Sequence, residues 1–93
     1  MENTWTIEDD WNWRMKTDSI RFYLSDGQER HIFEITRIAL VDYFHTEDTK
    51  ERALDLFEQH KERIMNVALK VLFESKDDGV HVIKLETCQR LGL

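Results

Sequence analysis

The side chains best suited to chemistry are scattered along this sequence. Four histidines stand at positions 31, 45, 60 and 81, a single cysteine at 88, and acidic clusters at Glu8-Asp9-Asp10 and Asp77-Asp78. A zinc site draws on ligands set close together, such as two on successive turns of one helix or a CxxC. No pair here has that spacing. His31 and His81 share a face only if their strands pair, and His60 falls at the edge of a helical stripe. They read as half-buried hydrogen bonders, and His45 as a solvated residue near a helix end. Nucleophilic catalysis needs a nucleophile, a base and a group that orients the base. There is no GxSxG elbow, and Gly27, Gly79 and Gly92 are too isolated to build a phosphate loop. Cys88 has no histidine fixed beside it by sequence, so it reads as an inert thiol. The acidic clusters read as solvated turns. A chain of 93 residues also has little room for both a core and a pocket of roughly 300 Å³ or more. No catalytic residue, metal ligand or cofactor is assigned, and an enzyme is not expected.

Binding has better candidates. All three tryptophans, Trp5, Trp11 and Trp13, lie in the first 18 residues, with Glu8, Asp9 and Asp10 between them. Trp11 and Trp13 flank Asn12, so an extended backbone places both rings on one face. Tryptophan is enriched in the energetic centres of interfaces. It is also usually largely buried, so the same rings equally serve to cap a sheet face or the end of a core. Tyr23 lies on the polar face of an adjacent strand. Lys61 falls near the middle of an apolar helical stripe, where it either lays its stem along the core edge or meets an acid on a partner. Trp11, Trp13, Tyr23 and Lys61 are the candidate interaction surface.

The elements that must position these residues follow from periodicity. Over residues 48–75, Leu54, Phe57, Ile64, Ala68, Val71 and Leu72 fall in one stripe at about 100° per residue, which predicts a long helix. Asp48 is the expected N-cap, with Glu51 completing a capping box and Thr46 as a competing cap. Asp77-Asp78-Gly79 is the expected stop. From Ile64 to Phe73 only Asn66 and Lys70 are polar, an apolar surface that needs cover on more than one side. Residues 19–36 alternate with period two around Asp26-Gly27, which predicts a β-hairpin with Ile20, Phe22, Leu24, His31, Phe33 and Ile35 facing inward. Thr36 caps a short helix over 37–45, whose buried side is Ile38, Ala39, Leu40, Val41 and Phe44. Residues 80–86 alternate again and read as a strand joining the hairpin. The tail from Thr87 is too short to assign. The sum is a single two-layer α+β domain over 1–93: a small antiparallel sheet made of a β-hairpin and one later strand, with two helices packed on one face. The other face stays open unless the Trp-rich segment, residues 1–18, or a second subunit covers it. A half-covered sheet and a wide helical stripe both point to association, most simply a homodimer.

Composition narrows the setting. The net charge is −6 and the pI about 5.1. Nucleic-acid binders carry a basic patch, whereas here basic residues mostly sit one or two positions from an acid. No apolar run approaches the roughly 20 residues of a membrane span, and the N-terminal residues lack the apolar stretch of a secretory signal. One cysteine makes no internal disulfide and suits a reducing cytosol. A cytoplasmic location is expected, with no membrane.

Trp13, then Ile20-Arg21-Phe22, Gly27 in a turn, Phe33-Glu34-Ile35-Thr36 and Ala39-Leu40 together resemble a family of short bacterial proteins, the domain of unknown function 1488. So do Ala53-Leu54-Asp55-Leu56-Phe57-Glu58-Gln59-His60, the following Ile64 and Ala68, and Ile83-Lys84-Leu85. The resemblance spans about residues 13–87 and rests on core and turn positions. It departs at Phe33, where many relatives are expected to carry a cysteine, so no thiol role transfers; Trp5 and Trp11 have no counterpart. The resemblance implies a small cytoplasmic bacterial α+β protein and no activity. The expected function is a non-enzymatic protein–protein interaction module, homodimeric, with an unidentified protein partner. The alternatives are a nucleic-acid-linked regulator using Arg14, Lys16, Arg21 and Arg30, or an acidic inhibitor using Glu8, Asp9 and Asp10.

Overall fold

The structure is a computed structural model that describes residues 5–75 and 79–93. In chain order its elements are β1 (Thr6–Ile7), β2 (Asn12–Arg14), β3 (Ser19–Ser25), β4 (Arg30–Thr36), α1 (Arg37–Tyr43), α2 (Lys50–Gln59), α3 (Lys61–Glu74), β5 (His81–Ile83) and α4 (Leu85–Leu91). Strands β3 and β4 form the expected hairpin, paired from Ser19 opposite Thr36 to Ser25 opposite Arg30. The Asp26 carboxylate makes the turn by accepting from the backbone N–H groups of Gln28 at 2.9 Å and Glu29 at 2.8 Å. Gly27 supplies a φ of +94° there, a conformation that costs glycine nothing.

From Thr6 to Arg14 the Trp-rich segment forms an interrupted edge strand. β1 pairs antiparallel with the Ser25 end of β3 and β2 with its Ser19 end. At the far side β5 joins β4, as expected, but in parallel, Phe33 opposite His81 and Ile35 opposite Ile83. The sheet is therefore mixed rather than purely antiparallel. Alternation reveals which face a residue takes and is silent on strand direction. Here the helices between β4 and β5 carry the chain back to the starting end, as a parallel crossover requires.

The helical layer differs from expectation in several places, beginning with α1, expected over 37–45, which ends at Tyr43. The predicted helix over 48–75 is two helices. At His60 the backbone leaves helical geometry, with φ −119° and ψ 27°, and its ring stacks on Phe44 at 4.3 Å and 10°. The N-cap of α2 is Thr49, whose hydroxyl accepts from the Arg52 N–H at 3.1 Å, in place of Asp48 or Thr46. Asp48 instead pairs with Arg37. Asp77 and Asp78 of the expected stop lie outside the described residues; α3 ends at Glu74, capped by Ser75. The strand expected over 80–86 is only His81–Ile83, because the chain turns at Lys84 into α4. The Thr87 hydroxyl accepts from the Lys84 N–H at 3.3 Å, and Gly92 at φ +77° closes the helix. By contrast, Thr36 caps α1 as read from sequence, accepting from the Ala39 N–H at 3.0 Å. Ile38, expected inside, is 49% exposed.

The four helices among the described residues pack on one sheet face, α1 against α2 and α4, and α3 against α2, α4, β1 and β5. Ile20, Phe22 and Leu24 of β3, Phe33 and Ile35 of β4 and Ile83 of β5 are fully buried against Leu40, Val41, Phe57 and Ile64. The Phe22 ring lies 5.4 Å from that of Phe33 and 5.3 Å from that of Phe57. Burying each such side chain contributes about 1.5–3 kcal/mol, so these contacts fix the sheet to the helices. Among the described residues, no helix is long and apolar enough to cross a membrane.

Candidate interaction surface

Because side chains alternate along a strand, burying Phe22, Phe33 and Ile83 turns Arg21, Tyr23, Ile32, Glu34 and Val82 to the opposite face. The helices leave that face uncovered, yet Glu34 at its centre is only 5% exposed. Glu34 stands opposite Arg21 in the β3–β4 register and beside Val82 in the β4–β5 register. The Arg21 guanidinium donates to Glu34 Oε2 twice, from Nε at 2.9 Å and from Nη2 at 2.6 Å. Ser19 donates to Oε1 at 3.2 Å and shares a 2.7 Å hydroxyl contact with Thr17. The carboxylate is thus satisfied from within the sheet.

Around this pair the face is apolar on one side and charged on the other. Val80 and Val82 are 42% and 45% exposed. Tyr23 and Ile32, half-buried, stand opposite one another. Arg30 lies 4.0 Å over the Tyr23 ring and binds Glu8 at 2.8 Å and Asp10 at 3.0 Å. Interface centres are poor in unpaired charge and rich in Tyr and Arg. Arginines that are already neutralised by their own acids cost less to cover than bare ones.

The residues expected to form one interaction surface divide between two faces. Tyr23 is on the outer face. Trp11 and Trp13, expected on the open sheet face, are on the helix-covered side. Trp13 stands opposite Ile20, which points inward. The Trp11 ring meets Phe57 at 4.7 Å, so it closes the end of the core. Lys61 comes to Trp11, its Nζ 5.6 Å from the ring, and its acid is Glu58 of the same chain at 3.0 Å. Lys50 likewise lies 5.5 Å over Trp13. Both tryptophans remain half-buried at the sheet edge. Arg21, Ile32, Glu34, Val80 and Val82 were absent from the expected surface, although they are simply the complement of the buried period-two positions. The outer side of α3, the other surface suggested by composition, presents Phe73 at 77% exposure.

The groups considered for chemistry take ordinary structural places. His31 and His81 do share the inner face, rings 6.5 Å apart, with Trp5 against His31 and Phe33 against His81. Among the described residues, no group of three His, Cys, Asp or Glu is placed to hold a metal. Cys88 is buried, and burial raises its thiol pKa to about 11. A cleft of about 570 Å³ opens beside Thr17, Asp18, Thr36, Ile38, Lys84 and Leu85, so the chain has more room for a pocket than its length suggests. Among the described residues no thiol or imidazole lines it, and its carboxylates are Asp18 and Glu86. Hydrogen bonding to Arg37 holds the Asp18 carboxyl below the usual carboxylate range, which makes it an ion-pair member rather than a base.

Comparison with known proteins adds the family. The model of a family described as "Protein of unknown function (DUF1488)" matches residues 7–83. A crystal structure of a protein of unknown function from the DUF1488 family of Shewanella loihica PV-4 is similar, with a TM-score of 0.70 at 20% identity, over 88% of this chain and 94% of that one. No curated protein matches the chain.

Proposed function

Since the chain belongs to the DUF1488 family, proteins of unknown function, no activity comes with the assignment, and we propose that it is a non-enzymatic protein–protein interaction module of the bacterial cytoplasm. The observation that carries this reading is the outer sheet face: a nearly buried, internally neutralised Arg21–Glu34 pair bordered by exposed Val80 and Val82. Such a face can be covered by another protein without stranding a charge. A free, buried Cys88 suits a reducing compartment. The nucleic-acid alternative is disfavoured by pairing: of Arg14, Lys16, Arg21 and Arg30, Arg21 is engaged by Glu34 and Arg30 by Glu8 and Asp10. The test is affinity capture from bacterial lysate with the wild-type chain and with Val80→Lys/Val82→Lys. The reading expects a protein held by the wild type and released by the double variant at equal bait folding. Identical captured sets would overturn it.

A further inference from the structure

The sheet has a second uncovered feature, its β1–β2 edge. Among the described residues, no strand pairs with the outer side of β1 or β2. Exposed edges invite pairing with another chain unless something blocks them. From Glu8 to Lys16 this edge reads EDDWNWRMK. Asn12 is its centre of antisymmetry. Asp10 and Glu8 stand two and four residues before it, Arg14 and Lys16 two and four after it, and Trp11 and Trp13 flank it.

These charges do not cancel within one copy. Among the described residues, Arg30 alone serves Glu8 and Asp10, and Asp9 beside them makes no ion pair. Arg14 and Lys16 make none with the described residues either, and both are exposed. One end of the edge thus carries surplus acid and the other surplus base.

We infer that this edge is the seam of a homodimer, in which a second copy of the chain pairs antiparallel about a twofold axis at Asn12. That register places Asp10 opposite Arg14 of the second copy and Trp11 opposite its Trp13. A twofold axis then makes each match twice. Asn12 and Arg14 alternate with the inward-facing Trp13, so Arg14 meets Asp10 toward the outer face and the indoles meet on the inner one. The indoles, left half-buried in one copy, gain a cross-strand aromatic partner. Turns at Asp9-Asp10 and over residues 15–18 confine the ladder to Trp11, Asn12 and Trp13, with Asp10 and Arg14 as its end pair, and Glu8 and Lys16 add only acidic and basic charge beyond the two ends. The opposite edge, β5, offers no such match, since its outward residues are Val80, Val82 and Lys84. This inference goes beyond the outer-face reading and needs no other protein. Its seam would join the outer faces of two copies into one continuous surface.

Sedimentation equilibrium of the full chain at low and high salt tests it, with two charge-reversed variants, Arg14→Glu/Lys16→Glu and Asp9→Lys/Asp10→Lys. All four positions are exposed, and melting curves check that the variants fold. The wild type is expected to dimerise at low salt and to weaken about tenfold or more at high salt. Each variant alone is expected to be monomeric at concentrations where the wild type is dimeric, and an equimolar mixture of the two to form a heterodimer. A monomeric wild type at low salt, a dimer indifferent to Arg14→Glu/Lys16→Glu, or a mixture that stays monomeric would overturn the inference. An independent measurement uses Asn12→Cys, which the axis brings within disulfide reach of its twin. Mild oxidation is expected to cross-link it and to leave an Asn66→Cys control monomeric. Equal cross-linking of the two would also refute the seam.

Discussion

Removing Arg21 measures how far the outer face depends on its internal ion pair. The side chain of Glu34 is 6% exposed and that of Arg21 22%. Arg21→Ala leaves the carboxylate with Ser19 as its remaining side-chain donor, at 3.2 Å. Stripping one partner from a fully buried ion pair costs about 3–5 kcal/mol. Arg21 is partly wetted, and shortening it admits some water to Glu34, so the expected loss is lower, about 2–3 kcal/mol. In a domain of this size that lowers the melting temperature by about 10–20 °C. Replacing both partners, as Arg21→Met/Glu34→Leu, removes the stranded charge and is expected to return to within about 1 kcal/mol of the wild type. Urea unfolding of the wild type, the single and the double variant reads the difference directly. A single variant that loses less than about 0.5 kcal/mol would place Arg21–Glu34 among ordinary surface pairs and remove the argument that this face is ready to be covered. A double variant as weak as the single would show that the cost lay in packing rather than in the stranded carboxylate.

Two further outcomes follow from the helical layer. Cys88, its thiol pKa raised to about 11 by burial, should react with an aromatic disulfide reagent near pH 8 only as fast as the protein opens, and at once in denaturant; rapid labelling of native protein would contradict its burial. His60, whose pKa is lowered by burial and secondarily by Arg63, takes up a proton more readily in the unfolded chain. Its contribution to stability is therefore whole above about pH 6.5 and declines as pH falls below that value. His60→Phe, which keeps the stack on Phe44, should flatten the fall in melting temperature between about pH 7 and about pH 5.5; an unchanged slope would exclude His60 as its source.

Much of this fold is written locally. The alternation of residues 19–36, the Asp26-Gly27 turn and the Thr36 cap each act over a few residues, and each has the structure that its chemistry requires. The features that escaped depend on distant partners. Nothing in residues 49–74 breaks a helix by composition. The break at His60 exists where Phe44, the residue that caps the end of α1, stacks on the imidazole. The direction of β5 is fixed by where the helices deliver it, and its alternating residues would look the same in either orientation. Trp11 and Trp13 were rightly paired on one face, but which face followed only from the alignment of Trp13 with Ile20. Gly92, at φ +77°, was the visible end of α4, though seven residues are few for periodicity to register. On the outer face, Arg21 and Glu34 look like routine strand charges in a sequence. Their adjacency is a property of hairpin register.

The parallel ladder between β4 and β5 has a consequence for biosynthesis. The hairpin needs only its own turn to close, but β4 cannot gain its outer neighbour until α1, α2 and α3 have been made and residues 81–83 have followed them. During that interval the far edge of β4 is bare, with Phe33 and Ile35 on the strand. Pairings that join segments far apart in sequence are the slow ones, so the nascent chain is most prone to misassociation late in its synthesis. A chaperone or ribosome-bound factor would meet this protein as a finished hairpin with an unfinished sheet.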